Sequence, residues 1–299
     1  MKIIVTGSLG NIGKPLTTML VQKGHAVTVI SSKAERQKDI AAIGAKAAIG
    51  SMEDIDFLSA TFKGADVVYV MEALGANSFF DQNLDVMDAI TQIGNNYKQA
   101  IQESGVKRVV HLSSIGAHTD KGNGLLAFHY NVENILKQLP DDVSIKFMRP
   151  VGFYNNMFAF IQPIKTQGAI VSNYGGDNKE PWVSPLDIAA AIAEEIEKPF
   201  EGRTIRYIAS DEVPPNELAK ILGEAIGKPD LKWIVIPDDQ MQNGMIAAGM
   251  NPKVAAGLVE MNASRFNGIL YEDYNLHKPI LGEIKLTDFA KQFAAAFNQ

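Results

Sequence analysis

Cysteine is absent from all 299 residues, which excludes disulfides, thiolate nucleophiles and cysteine-ligated metals together and fits a cytoplasmic setting. Histidine is scarce and scattered, at positions 25, 111, 118, 129 and 277. No two of them share a helix at HxxxH spacing, so no metal centre is expected. The formal net charge is -6 and no Lys/Arg-rich run offsets it, so nucleic acid is not an expected partner. Long apolar runs are missing as well. The longest are strand-sized and broken by Gly, Asp or Lys, short of the ~18 residues a spanning helix needs. Met1-Lys2 leads straight into an apolar strand with no cleavable small-residue site, so neither a membrane span nor a secretory signal is expected. What the chain does have is 46% hydrophobic residues, enough for the core of one large domain or one and a half.

The richest local signal lies at the start, where the apolar run Ile3-Ile4-Val5 ends in Thr6-Gly7-Ser8-Leu9-Gly10-Asn11-Ile12-Gly13. A buried parallel strand that stops at Thr6 needs Gly7 for a tight turn. Gly10 lets backbone approach a pyrophosphate, and Gly13 lets the next helix sit against the strand with its free N–H groups toward the anion. A helix from Pro15 to Lys23, Gly24 and a second strand from Ala26 to Ile30 complete a βαβ unit. The same string also fits a plain strand-turn-helix; its context favours a dinucleotide site.

Strand-like runs alternate with helical stretches through residue 149: Lys2 to Thr6, Ala26 to Ile30, Lys46 to Ile49, Asp66 to Val70, Lys107 to Leu112 and Ser144 to Met148. That alternation predicts an α/β fold, a Rossmann-type doubly wound parallel sheet spanning 1–150. Apolar residues at helical spacing predict one long helix from Phe80 to Ser104. After Arg149-Pro150 the rhythm breaks, and 151–299 is expected to form a smaller, mostly helical substrate region interleaved with the core. Parts of 183–210 return to the sheet, through a helix from Pro185 to Lys198 and a strand from Thr204 to Ala209. An amphipathic helix from Leu286 to Phe297 closes the chain.

A carboxylate at the end of strand two would bond a ribose 2′-hydroxyl and repel a 2′-phosphate. This chain has Ser31-Ser32-Lys33 there, with Arg36 one turn on, which favours NADP(H) over NAD(H). The same serines would also serve as a helix N-cap. Gly50 and Ser51 follow strand three, where adenine lies in such folds. Met71, Glu72 and Ala73 at the end of strand four are expected beneath the ribose and diphosphate. Glu72 is unusual beside phosphates, and its partner stays open among a substrate, a ribose hydroxyl and solvent.

GxxGxxG differs from the GxGxxG of ordinary dehydrogenases and resembles the extended and atypical short-chain dehydrogenases/reductases. With TGSLGNIG, Val-Lys-Arg-Val-Val-His-Leu-Ser-Ser-Ile-Gly-Ala (106–117), Phe-Met-Arg-Pro (147–150) before Gly-Phe-Tyr-Asn-Asn, and Trp182-Val183-Ser184-Pro185-Leu186-Asp187-Ile188-Ala189, the chain resembles the NmrA-like family. These are atypical short-chain dehydrogenase/reductase proteins that bind NAD(P). The resemblance spans residues 2 to about 210. It implies cofactor contacts from Ser113, His129, Pro150, Gly152 and Phe153 in addition to those above.

Catalytic members of the wider superfamily use a Ser or Thr after strand five and a Tyr-xxx-Lys pair on the next helix. Ser114 fits the hydroxyl position. Matching Glu133 to the glutamate that commonly follows the lysine puts His129 at the lysine position and Leu125 at the tyrosine position. Leu125 cannot move a proton, so sugar-epimerase and ordinary alcohol/ketone chemistry is disfavoured. His129 either reaches ribose hydroxyls and protonates a substrate or is a packed structural residue. Tyr154 is the alternative proton donor.

An apolar pocket is expected from Phe153, Tyr154, Met157 and Phe158, joined by Phe79, Phe80 and Trp182, although residues of this kind at this density are more often core than substrate contact. The sequence thus predicts an NADP(H)-dependent reductase of small conjugated or quinone-like acceptors. A non-catalytic NADP(H) sensor with a regulatory protein partner is the alternative, and a homodimer is compatible with either.

Overall fold

The computed structural model describes residues 1–75 and 77–299. Among these, the strands run β1 (Lys2–Val5), β2 (Ala26–Ser31), β3 (Lys46–Ile49), β4 (Val67–Val70), β5 (Arg108–Leu112), β6 (Ser144–Pro150), β7 (Gly152–Phe153), β8 (Ala169–Ser172), β9 (Glu180–Val183), β10 (Arg203–Ile208), β11 (Asp211–Val213) and β12 (Lys232–Val235). The helices are α1 (Gly13–Gln22), α2 (Gln37–Ala42), α3 (Ile55–Phe62), α4 (Val86–Ser104), α5 (Ala127–Leu136), α6 (Ile161–Gln167), α7 (Pro185–Glu197), α8 (Pro215–Ala225), α9 (Asp238–Ala247), α10 (Pro252–Asn267), α11 (Glu272–Leu276) and α12 (Leu286–Phe297).

Seven strands form one parallel sheet in the order β10-β6-β5-β4-β1-β2-β3. Helices cover both faces, which is why β4 reads as an unbroken buried run, Val67 to Val70, rather than an alternating one. Two apolar cores follow. One gathers α1, α7 and the sheet face bearing Ile3 and Val5; the other gathers α3, α4 and α5 against Ile4, Val68 and Val70. The order reverses between β1 and β4, and such a switch point leaves a crevice beyond the carboxyl ends of the strands.

The long helix expected from Phe80 begins later, at Val86. Asp85 is extended and its carboxylate accepts from the N–H groups of Met87 (3.1 Å) and Asp88 (3.3 Å), capping α4. Residues 77–85 form turns outside the helix instead. A three-stranded sheet (β11-β9-β7) and a two-stranded one (β12-β8) lie in the second half of the chain. They enclose a third core with α8 and α12, built on Trp182, Leu218, Phe289 and Phe293. Among the described residues no helix is long and apolar enough to cross a membrane.

Candidate active site

The turn after β1 is held by its own atoms. Gly7 adopts φ +82° and Ser8 φ 56°, Ser8 donates its N–H to the Ile30 carbonyl (3.1 Å) and its hydroxyl to Ser31 Oγ (3.0 Å). Below it, buried Thr6 accepts the Met71 N–H through Oγ1 at 3.0 Å, joining the ends of β1 and β4.

The three glycines have separable causes. A methyl group on Gly13 would lie 2.2 Å from the Ser8 carbonyl oxygen, and one on Gly7 2.6 Å from Met71 Sδ. On Gly10 it would meet nothing closer than 3.5 Å. Packing within the protein therefore dictates Gly7 and Gly13, whereas Gly10, which is exposed, leaves bare backbone beside α1. The residue before that helix, Ile12, is buried in the core and offers no side-chain cap; Asn11 beside it is exposed. Bare backbone against an uncapped helix start is what a bound diphosphate needs.

From this turn a groove of about 450 Å³ runs between Ser8, Ser32, Lys33, Gly50, Ser51 and Ala73. Ser31 is buried and bonded within the turn, so Ser32 and Lys33, both exposed, form the rim at the end of β2. Neither serine caps the short helix that follows, Ala34–Arg36, whose N-cap position is Lys33. Arg36, expected beside them, turns away, with Nη1 3.4 Å from Asp39 and no place in the groove lining.

Two apolar cavities continue the groove. The first, about 280 Å³, shares Ala73, Leu74 and Gly75 with it and is walled by Val86, Ile90, Phe79 and Phe128. The second, about 580 Å³, shares Phe79 and Phe128 with the first and extends past Leu125, Met157, Trp182 and Met245.

α5 is pinned over this region by a buried ion pair. Glu133 takes two bonds from Arg149, Nε to Oε1 (2.8 Å) and Nη2 to Oε2 (2.7 Å), and a third from the Ser113 hydroxyl (2.7 Å). Burial pushes the Glu133 carboxyl up, but the Arg149 guanidinium and Ser113 hold it below its ordinary value. Arg149 also donates to the Ala117 carbonyl (3.2 Å), fixing the loop after β5 in which Ser114 sits half-buried.

His129 lies one turn before Glu133. Burial pushes its imidazole down to about 3, with the neighbouring His111 adding to the shift. Its Nδ1 has no partner among the described residues, and the Phe128 ring lies against it at 4.0 Å between centroids. Phe128, rather than His129, forms the cavity wall.

The NmrA-like family profile matches residues 1–271. The chain belongs to the NmrA-like family. An uncharacterized protein of Schizosaccharomyces pombe is 24% identical over 251 residues, 77% of this chain and 82% of that protein. Among solved structures, Citrobacter sp. triphenylmethane reductase complexed with NADP(H) superposes with TM-score 0.77 at 18% identity, over 97% of this chain and 99% of that one. The Escherichia coli NADPH-dependent quinone oxidoreductase complexed with NADPH gives TM-score 0.79 at 18% identity, again over 97% and 99%.

Several residues of this NmrA-like chain lie elsewhere than the sequence suggests. Glu72 is tied down from within the sheet: its side chain is fully buried, with both carboxylate oxygens 3.1 Å from His111 Nε2, and the residue contributes to the lining of the smaller cavity. Tyr154 is core. It is fully buried, stacked on Phe289 at 5.3 Å, and donates its hydroxyl to the Ile284 carbonyl (3.3 Å). Burial pushes its phenol up, and Asp211, Asp187 and Asp288 add to that shift, which is unsuitable for a proton donor. Gly152 makes room for protein: a methyl there would meet Arg265 Nη2 at 3.1 Å and the Trp182 ring at 3.2 Å. Pro150 is buried in β6 and its carbonyl accepts from Ile115 (2.9 Å), while Phe153 packs on the sheet core. Of the expected pocket aromatics, Phe79 and Trp182 line the larger cavity with Met157; Phe80 and Phe158 do not.

Sequence reasoning missed Phe128, the His111–Glu72 pair, and Arg265, which lines the large cavity held by Glu180 (3.0 Å) and stacked 4.6 Å from both Tyr174 and Trp182. A signal existed for one of them. His111 interrupts Val109-Val110-His111-Leu112, and a titratable group inside a buried strand demands a partner.

Proposed function

We propose that this chain is an NADP(H)-dependent reductase of small conjugated, quinone-like acceptors. The observation that carries the reading is continuity: the groove beside Ser8, Ser32 and Lys33 runs through Ala73, Leu74 and Gly75 into apolar space walled by Phe79 and Phe128. The bare Gly10 backbone and uncapped α1 fit a diphosphate, and Ser32 with Lys33 fits a 2′-phosphate better than a bare hydroxyl. The structural relatives crystallised with NADP(H) support this choice.

When bound, the reduced nicotinamide supplies a hydride. The chain's own part is binding, orientation and exclusion of water. Leu125, buried at the tyrosine position of the wider superfamily, offers no proton, so the acceptor must be one whose reduced form takes its protons from solvent, as a quinone does. Ser114 and the neutral His129 are assigned to the nicotinamide end as hydrogen-bonding groups, not as a charged acid.

NADPH is expected to bind stoichiometrically and more tightly than NADH, and simple quinones to accelerate its oxidation. Equal affinities for the two cofactors would reject the reading of Ser32 and Lys33. NADPH binding without accelerated oxidation across quinones, dyes and enones would reject the reductase and leave a cofactor-binding sensor.

A further inference from the structure

The larger cavity exceeds what a reducible ring requires. Pockets of roughly 300–1,000 Å³ hold drug-sized molecules, and about 580 Å³ lies beyond Phe79 and Phe128, past the 280 Å³ cavity beside the cofactor groove. Its lining includes four methionines, Met157, Met241, Met245 and Met261. Unbranched, polarizable thioethers adapt to a flexible apolar chain instead of fixing one rigid outline.

A second observation concerns the helix over the cavity. α9, which supplies Met241 and Met245 one turn apart, has no buried residue along its length. A surface helix normally buries an apolar stripe, yet Met241, Met245 and Ile246 are only half-buried. The apolar side of α9 is left for an occupant of the cavity to cover.

We propose that the acceptor carries a long, flexible apolar substituent seated among the four methionines beneath α9, while its reducible ring occupies the smaller cavity. This rests on the reductase reading above, and deepens it from a ring chemistry to a substrate class, the tailed quinones. The tail gains affinity by burial, and the ring is placed by Phe79 and Phe128 at the junction.

The test compares decylubiquinone with the same dimethoxy-methyl-benzoquinone ring lacking the decyl chain, below the concentration at which the former aggregates. The tail is expected to raise kcat/KM at least roughly tenfold, mostly through KM; that is about 1.4 kcal/mol, less than two buried methylenes supply. A ratio below about twofold overturns the proposal. In a Met241→Gln/Met245→Gln double variant that keeps its circular dichroism, the ratio is expected to collapse toward one; an unchanged ratio also overturns it.

Trp182, buried in the cavity wall, gives a readout without turnover. Quenching of its fluorescence in NADPH-loaded protein should favour the decyl compound. If neither quinone is reduced but tail-dependent quenching persists and is lost in the double variant, the reductase reading fails and the tail site stands. If quenching is also absent, both fall.

Discussion

A methyl group would act differently at two glycines of the same loop. At Gly13 it would press on the Ser8 carbonyl, backbone that cannot yield without moving the turn. Gly13→Ala is expected to lower stability by about 1–3 kcal/mol, as other overpacking substitutions do. At Gly10 the space is open, so Gly10→Ala should change stability by no more than about 0.5 kcal/mol. Its effect should fall on the cofactor, weakening NADPH roughly tenfold or more by crowding a close backbone approach. Thermal melts and calorimetric titration of both variants separate the two causes; parallel losses in both would refute the distinction.

His129 makes a prediction of the same scale in pH. Its imidazole falls from the ordinary 6.5 to about 3 on folding, so between those values the unfolded chain binds a proton that the folded chain does not. Stability must therefore decline as pH drops from 6.5 toward 3, with no loss from this residue above 6.5. His129→Gln should flatten that part of the stability profile, measured by urea melts across the window. A parallel profile in the variant would show that the imidazole is not held neutral. Turnover should show no inflection from His129 between pH 6 and 8, because the ring is already neutral there.

Among the elements, the turns before α4 and the start of α10 are tied together. Asn251 donates Nδ2 to the Asp81 carbonyl (2.9 Å) and its N–H to the Phe79 carbonyl (2.9 Å), while Gln82 reaches the Gly249 carbonyl (3.1 Å). The same Asn251 caps α10 by accepting the Lys253 N–H. Asn251→Ala is expected to speed hydrogen exchange in both 77–85 and 238–250, with about 1–3 kcal/mol lost overall from the cap and the buried bonds. Faster exchange in only one segment would show that they open separately. Lys253→Ala, which removes an exposed ion pair with Asp85, should have little effect.

How much of this was legible follows from the range of the interactions. The glycine turn and the seven central strands were readable because their cause is local: apolar runs, turn residues and helix spacing. The start of α4 was misplaced because Leu84 continues the apolar spacing outside the helix, and only the Asp85 cap marks the true boundary. The shortest strands, β7 and β11, carry too few residues for a periodic signal. Contacts across distance were not legible at all. His111 meets Glu72 across 39 residues and Arg265 meets Glu180 across 85, so which charges end up together depends on the fold. Tyr154 shows the converse: a chemically suggestive residue was spoken for by the C-terminal core.

For the molecule as a whole, the two halves of the chain share one sheet. β10 pairs with β6 along six residues, Arg203 against Ile145 through Ile208 against Pro150, and α7 packs beside α1 on the same face. A fragment of residues 1–150 would leave β6 as a bare edge, which is a template for association. That fragment is expected to be insoluble or aggregated, whereas 1–210 should stay in solution longer; sedimentation of the two would decide it, and a stable monomeric 1–150 would refute the argument.

The same pairing sets a schedule for synthesis. While the ribosome makes this protein from its N-terminus, the sheet can assemble through β6 but has no cover for that strand's outer edge until Ile208 has emerged. For the time it takes to translate and fold the stretch between Val151 and Ile208, the nascent chain carries an adhesive flank, and that interval is when it most needs a chaperone.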